Sequence, residues 1–198
     1  MSGVHEEEKK GIAYYRRVVR YTPKQARLFL IIGACDYSCE VTVNGKKLTS
    51  HLGGYAPVEV EVTEVWNKLG DNEIIVRAED NDDHSFQTYG KQGYGNIRGI
   101  WQTVYLEERP SSYIEYFVFR TEISGRVTFD FEIKGEYDAV ECEFGGVVCK
   151  GRGNHLELTI PEPELWTPEE PNLYEGCLRL VNREETDEIH TYFGIREV

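Results

Sequence analysis

The sequence predicts an all-β protein. Short runs of alternating or continuous apolar residues recur along its 198 residues, and turn-forming Gly, Asn, Pro and Ser residues separate them. No amphipathic helix of useful length interrupts this pattern. Tyrosine and valine are abundant and there is only one methionine, a composition that suits the pleated surface of a sheet. The length allows two small domains, each with its own core.

The first strands have burial patterns that can be read from the sequence. The run ARLFLIIGACDY (26–37) is almost continuously apolar, which favours a strand covered on both faces. Asn44-Gly45 predicts a two-residue hairpin turn, because a type I′ turn needs positive φ at both central positions. In PVEVEVTEV (57–65), Val58, Val60 and Val62 take one face, and Glu59 and Glu61 take the other.

The least regular segment is NDDHSFQTYGKQGYGNIRG (81–99), which precedes the strand-like run IWQTVYLEE (100–108). It is too polar for a core, and loops of this length inside compact domains are usually functional or disordered. Pro110 cannot donate to a strand ladder and two serines follow it, which indicates a boundary. We therefore predict a first domain at 1–109 and a second at 110–198.

The second half repeats the strand pattern in about ninety residues. It contains seven short strand-like runs, and in one of them Val127, Phe129 and Phe131 share a face. Seven short strands in this length are typical of an immunoglobulin-like β-sandwich. The Cys–Trp–Cys spacing of antibody domains is absent, so this prediction rests on the number of strands.

The net charge of −13 excludes some classes of partner. Affinity for nucleic acid comes from Lys and Arg at the phosphates, so neither nucleic acid nor an anionic membrane surface is expected as a partner. The opening MSGVHEEEKKG has no apolar core of signal-peptide length, and no later run is long enough to span a bilayer. These features indicate a cytoplasmic protein, and its odd number of five cysteines favours free thiols.

One cysteine pair is positioned by a predicted turn. If Gly145-Gly146 forms a two-residue hairpin turn, Cys142 lies opposite Cys149. Counting outward from the turn makes this a hydrogen-bonded pair, an awkward geometry for a cross-strand disulfide. Two small buried hydrophobic side chains are therefore favoured over a bond.

The catalytic signatures are absent from the sequence. It contains no H-E-x-x-H, paired C-x-x-C, G-x-S-x-G or P-loop motif, and its five histidines lack metal-ligand spacing. Asp80, Asp82 and His84 alternate like the start of a calcium loop, but the turning Gly and the distal Glu are missing. Most other carboxylates alternate with apolar residues, as on a solvated sheet face. We therefore expect no catalytic residue, no metal and no cofactor in this chain.

Aromatic residues are the remaining resource for binding, since tyrosine and tryptophan rings can stack on sugars. Tyr55, Tyr89 and Tyr94 fall in or near predicted loops, where packing within the loops is the simpler interpretation. In GIWQTVYLE (99–107), Trp101 and Tyr105 take the face opposite Ile100, Val104 and Leu106. A strand with bulky groups on both faces predicts that another domain covers Trp101 and Tyr105.

Several motifs resemble one family in order along the chain. GIAYYRRVV (11–19), VTVNGKKLTSHLGGYAPVEVEVTEV (41–65), VRAED (76–80) and GIWQTVYLE resemble the N-terminal sugar-binding domain of family 2 glycoside hydrolases, the β-galactosidases, β-glucuronidases and β-mannosidases. LWTPEEPNLYEGCLRLVN (165–182) and FGIREV (193–198) resemble the immunoglobulin-like domain that follows. The resemblance implies a galactose-binding-like jelly-roll, then an immunoglobulin-like sandwich, and then a catalytic TIM barrel whose signatures have no counterpart here.

The resemblance also implies a small set of site residues. Similar enzymes carry an E-D-D-P and an R-G-K-Q motif in a loop that reaches the sugar pocket. EDNDDHSFQTYGKQ (79–92) keeps Asp80, Lys91 and Gln92, with Tyr89 in place of the arginine. By resemblance, Asp80 hydrogen-bonds a sugar hydroxyl and Lys91 and Gln92 support it.

Three functions are compatible with these features. The first is the non-catalytic N-terminal portion of a retaining β-glycosidase, which braces a TIM barrel in cis or in trans, contacts carbohydrate at its rim and offers contacts for a homo-oligomer. The second is a free-standing carbohydrate-binding module. The third is an adaptor whose Trp101/Tyr105 face binds a separate protein. No catalytic activity is expected from the chain alone.

Overall fold

The computed structural model describes residues 11–80, 98–183 and 186–196. The chain divides into two compact units, Met1–Glu108 and Arg109–Val198. Strands make up almost all of the regular structure, and the only helix in the described ranges is a single 3₁₀ turn, Thr63–Val65. Within the same ranges no helix has the length and apolarity needed to cross a bilayer. The all-β prediction is confirmed.

The first unit is a jelly-roll sandwich. Its strands are β1 (Gly11–Arg20), β2 (Arg27–Ile32), β3 (Cys35–Asp36), β4 (Ser38–Val43), β5 (Lys46–Leu52), β6 (Val58–Glu61), β7 (Asp71–Asp80), β8 (Gly99–Ile100) and β9 (Val104–Arg109). They form a four-stranded sheet in the order β1-β7-β4-β5, a three-stranded sheet β6-β2-β9 and the pair β3-β8. Apolar residues of β2, β4, β6 and β7 form one core cluster.

The local patterns of the first unit match their predictions. The last five residues of β2 are all buried, as expected for a strand covered on both faces. In β6, Val58 and Val60 are buried while Glu59 and Glu61 are exposed. Asn44 and Gly45 have φ values of 49° and 80°, and they join β4 to β5 in the predicted hairpin.

Asn72 fixes the turn that leads into β7. Its side chain is fully buried, and its Oδ1 accepts hydrogen bonds from the Asn67 backbone N–H at 2.7 Å and the Asn44 amide at 2.8 Å. Its Nδ2 donates to the carbonyls of Asn67 at 2.9 Å and Gly70 at 3.2 Å. Because every donor and acceptor of this amide has a partner, its burial carries no desolvation penalty.

The second unit is an immunoglobulin-like sandwich of seven strands. These are β10 (Tyr113–Thr121), β11 (Arg126–Lys134), β12 (Ala139–Phe144), β13 (Val147–Gly151), β14 (His155–Thr159), β15 (Tyr174–Val181) and β16 (Thr186–Phe193). The sheets have the orders β10-β11-β14 and β13-β12-β15-β16, a division of three and four strands like that of immunoglobulin domains. Their facing residues form a second core cluster.

The predicted glycine turn sets the register of β12 and β13. Gly145 and Gly146 have φ values of 55° and 76°, a conformation that glycine adopts without strain. Cys142 lies opposite Cys149, as the turn predicts. All five cysteines are free thiols.

Two motifs near the end of the chain pack on each other within the second unit. The Trp166 backbone N–H donates to the Ile195 carbonyl at 2.7 Å, and the Arg196 guanidinium lies 5.5 Å from the centre of the Trp166 ring. Gly194 lies against the same ring, since a Cβ at this position would be 3.1 Å from Trp166 Cβ. The LWTP and FGIR sequences thus form one contact, with a cation–π interaction at its edge.

One predicted strand is interrupted. GIWQTVYLE was expected to alternate along its whole length, but residues 101–103 lie outside any strand and separate β8 from β9. The chain changes partner here, because β8 pairs with β3 whereas β9 lies beside β2. The alternation of buried and exposed residues does not continue across this change of partner strand. Val104 is therefore 42% exposed, although Ile100 and Leu106 pack against the core.

Candidate functional site

Four segments of the first unit meet around a pair of buried carboxylates. Asp80 ends β7, and Arg98 immediately precedes β8. Asp36 lies on β3 opposite Gly99 of β8. Gly54, between β5 and β6, contacts the Asp36 carboxylate so closely that a Cβ there would lie 2.5 Å from Asp36 Oδ1. We call Asp36, Asp80 and Arg98 the acid–arginine cluster.

The acid–arginine cluster is almost closed to solvent. The exposed fraction is 5% for Asp80 and 7% for Asp36. Arg98 Nε lies 3.0 Å from Asp80 Oδ2. The other oxygen, Asp80 Oδ1, is buried and has no hydrogen-bond partner within the described ranges. An unsatisfied buried carboxylate oxygen is costly, and Asp80 Oδ1 is therefore an acceptor that a donor could still satisfy.

The two carboxylates influence each other electrostatically. Burial, followed by the negative charge of Asp80, raises the pKa of Asp36 to about 6, and the positive charge of Arg98 opposes this rise. Asp36 therefore changes its protonation state at mildly acidic pH. In the protonated form its carboxyl group can donate a hydrogen bond, which an ionised carboxylate cannot do.

We expect Asp36 to make the stability of the first unit depend on pH. Its pKa is about 6 in the folded chain against an ordinary value of 3.8, so folding favours the protonated form. The contribution of this group is greatest below about pH 4 and is lost as the pH rises to about 6, with a total change of about 3 kcal/mol. Urea unfolding of wild type and Asp36→Asn across this window measures the effect.

Asp36→Asn should not lose stability as the pH rises to about 6, and it should therefore be more stable than wild type near neutral pH. Asp71→Asn provides the matched control, because the Asp71 carboxylate pairs with Arg20 on an exposed surface where its side chain is 60% accessible. Parallel pH profiles for wild type and Asp36→Asn would contradict the assignment.

Aromatic side chains lie next to the acid–arginine cluster. Trp101 Nε1 donates to the Gly54 carbonyl at 2.8 Å, and the Trp101 and Tyr55 rings meet edge to face with their centres 5.9 Å apart. Tyr55 is 65% exposed. Gly54 therefore connects the two features, with its backbone against Asp36 on one side and its carbonyl held by Trp101 on the other.

The structure describes some of the predicted site residues and leaves others outside its described ranges. Asp80 is in the acid–arginine cluster, whereas Lys91 and Gln92 lie outside the described residues, as do Asp82, His84, Tyr89 and Tyr94. Trp101 is half-buried outside the strands, and Tyr105 is 46% exposed on β9. The interface proposed for Trp101 and Tyr105 stays a prediction.

Asp36, Gly54 and Arg98 were not singled out by the sequence. A signal for Asp36 existed, since it is the one charged residue near the end of the apolar run 26–37 and a buried charge needs a partner. Arg98 and Gly54 carried no comparable signal. Within the described ranges, no three His, Cys, Asp or Glu side chains are grouped as a metal ion would require.

Known proteins similar to this chain come from one enzyme family. Residues 114–196 match the sequence profile of glycosyl hydrolases family 2. A putative β-glucuronidase from Formosa agariphila is 26% identical over 209 residues, covering 95% of this chain and 20% of the relative. A β-galactosidase from Thermoanaerobacter pseudethanolicus is 25% identical, covering 98% of this chain and 29% of the relative. The chain thus spans less than a third of the length of these two relatives.

Solved structures show the same fold. The β-D-glucuronidase of Dictyoglomus thermophilum matches with a TM-score of 0.75 and 25% identity, over 94% of this chain and 37% of that one. The β-glucuronidase of Ruminococcus gnavus, in complex with D-glucuronic acid, matches with a TM-score of 0.80 and 19% identity, over 100% of this chain and 38% of that one. The glycosyl hydrolases family 2 profile thus matches the second unit, and the relatives align across both units, so the resemblance to family 2 glycoside hydrolases is confirmed.

Proposed function

We propose that this chain is the non-catalytic sandwich portion of a retaining β-glycosidase, in which it braces a catalytic TIM barrel and lends a loop to the rim of the sugar pocket. The observation that carries the proposal is the pattern of coverage. The alignments take in 95% and 98% of this chain but only 20% and 29% of the relatives. Most of each relative, including room for a catalytic domain, therefore lies outside the matched region.

The acid–arginine cluster supports the second part of the proposal. Asp80 and Arg98 stand at the two ends of segment 81–97 in the sequence, and their side chains meet at 3.0 Å. This ion pair fixes the spacing between the ends of the segment that contains Lys91 and Gln92. In the proposed enzyme, Asp80 accepts a hydrogen bond from a sugar hydroxyl, and Lys91 and Gln92 support it.

The same cluster is unsuited to hydrolysis by itself. A retaining glycosidase needs two carboxyl groups about 5 Å apart on either side of the glycosidic bond. The pKa of Asp36 is raised as that of a catalytic acid would be, but Asp36 and Asp80 are both more than nine-tenths buried. A sugar ring cannot enter between them, so we assign this pair no role in hydrolysis.

Two measurements test the proposal. Reading the source DNA beyond the codon for Val198 should reveal a frame that continues into a barrel with two catalytic glutamates, or a neighbouring gene that encodes one. The purified chain should leave 4-nitrophenyl β-glucuronide and β-galactoside intact. A stop codon without such a neighbour would overturn the bracing role, and turnover by the pure chain would overturn the non-catalytic role.

A free-standing carbohydrate-binding module is the second candidate, and one observation favours it. Tyr55 offers an exposed ring beside Trp101 and the acid–arginine cluster, and exposed aromatic rings can stack on sugar faces. A saturable change in tryptophan fluorescence on adding glucuronic acid or galactose, absent in Tyr55→Ala, would establish this module. If the fluorescence stays constant at millimolar sugar, the bracing role stands alone.

A further inference from the structure

Among the strands that the structure describes, β1 is an edge of the four-stranded sheet. All ten of its residues pair with β7 in one uninterrupted register, and no strand in the described ranges lies on its other side. Sheets usually protect such edges with proline, bulges or lysines. The opposite edge follows this rule, since the β4–β5 pair contains a register shift and β5 begins with Lys46-Lys47. β1 has neither proline nor bulge.

The outward face of β1 carries three exposed apolar side chains and two arginines that are paired with carboxylates of β7. The exposed fractions of Ile12, Tyr14 and Val18, which alternate along this face, are 49%, 67% and 48%. Arg16 Nε lies 2.6 Å from a Glu73 carboxylate oxygen, and Arg20 Nε lies 2.9 Å from one of Asp71. Because β7 supplies these carboxylates, Arg16 and Arg20 should only weakly repel a second strand that pairs with β1.

We propose that β1 pairs with β1 of a second copy of this chain, antiparallel and about a two-fold axis through Tyr15, so that two four-stranded sheets become one. In an antiparallel pair, two directly opposite residues either both direct their backbone N–H and C=O groups at the partner strand or both direct them away from it. Identical strands related by a two-fold axis meet this condition only when the axis passes midway between one residue and its own copy. An axis at Tyr15 places Ile12 opposite the partner's Val18 and Tyr14 opposite the partner's Arg16. Aliphatic pairs and arginine on an aromatic ring both favour association.

Neighbouring registers are less favourable. An axis at Arg16 would put two guanidinium groups directly opposite each other, and like charges in that position destabilise a sheet. An axis at Tyr14 would place Ile12 opposite the partner's Arg16 and leave Val18 and Arg20 beyond the overlap. Of these three registers, the one about Tyr15 is therefore the most favourable for a second copy of β1.

A groove beside the same edge adds apolar surface to the interaction. Its volume is about 510 Å³, and it is lined by Tyr15 and Arg17 of β1, Ile74 and Val76 of β7, and Ile100 and Val104 near β8 and β9. Val104 is 42% exposed there. Residues on the inward face of a second β1 would extend over this groove, so strand pairing would bury apolar surface as well as satisfy backbone hydrogen bonds.

Sedimentation velocity across a range of concentrations of the full chain tests the proposal. We expect the 22.9 kDa chain to double in mass as its concentration rises. Val18→Lys should weaken this association at least tenfold, because it places an ammonium group opposite the partner's Ile12 and beside the arginines. Leu69→Lys is the matched control, since Leu69 is 92% exposed in a turn outside the sheets, and it should associate like wild type.

Thiol cross-linking tests the register. A short bifunctional thiol reagent should link Ile12→Cys to Val18→Cys when the two variants are mixed, while each variant alone stays at the wild-type background. Circular dichroism and thermal melting confirm that each variant is folded. A strictly monomeric wild type, a Val18→Lys variant that associates normally, or cross-linking of Ile12→Cys to itself would each overturn the proposal.

Discussion

Replacing Phe193 with alanine should lower the free energy of unfolding of the second unit by about 3–5 kcal/mol. Phe193 is 2% exposed on β16. Its ring centre lies 4.9 Å from that of Phe144 and 6.2 Å from that of Phe129, so its truncation opens a cavity at the centre of the core. Since domains are stable by only about 5–15 kcal/mol, a loss of this size removes much of the margin.

The adjacent residue provides the control for this prediction. Tyr192 lies on the same strand but faces the other way and is 60% exposed, so Tyr192→Ala should cost less than about 1 kcal/mol. Urea unfolding followed by circular dichroism measures both variants. Similar losses in the two would mean that the buried aromatic cluster is not what stabilises this unit.

Replacing Arg98 with methionine should destabilise the first unit by about 3–5 kcal/mol near neutral pH. The guanidinium lies beside two carboxylates that are both almost fully buried. Without it, Asp80 keeps its charge in a poorly solvated place, and the Asp36 carboxylate loses the positive charge that opposes the rise of its pKa. Methionine preserves much of the side-chain volume, so the loss reports mainly on charge.

The loss on Arg98→Met should shrink as the pH falls to about 5. Asp36 is then protonated in the folded state, which removes one of the two uncompensated charges. Adding Asp36→Asn to the variant should recover part of the stability near neutral pH by deleting one of the two charges. A loss that is independent of pH and insensitive to Asp36→Asn would show that Arg98 acts through packing alone.

Arg20→Met is the matched control for this experiment. It also breaks an arginine–aspartate pair at the edge of the same unit, but Arg20 and Asp71 have side chains that are 72% and 60% exposed. Exposed pairs contribute between about 0 and 1 kcal/mol. The contrast between the two arginines isolates the effect of burial on an ion pair of similar geometry.

Short-range features of the fold were predictable because local chemistry determines them. The turns at Asn44-Gly45 and Gly145-Gly146 need positive φ values that few residues tolerate, and the alternation in β6 follows from the two-residue period of a strand. Register follows from such turns, which is why the positions of Cys142 and Cys149 could be counted from the glycines.

The candidate site was only partly predictable. Resemblance to a family singled out Asp80, but its ion pair with Arg98 and its neighbour Asp36 depend on pairing between strands that are distant in the sequence. The anchoring of Trp101 by the Gly54 carbonyl could not be predicted for the same reason. An alternating pattern cannot reveal that the chain leaves β3 as a partner and joins β2 between residues 100 and 104.

The sequence by itself determined that this chain forms β-sandwiches that resemble those of family 2 glycoside hydrolases, because strand period, turn chemistry and family motifs depend on neighbouring residues. Only the tertiary structure decided which carboxylates share a buried site, where Trp101 is anchored and which strand edge stays open. These depend on non-local strand pairing, and the burial that shifts the pKa of Asp36 exists only once those strands have come together.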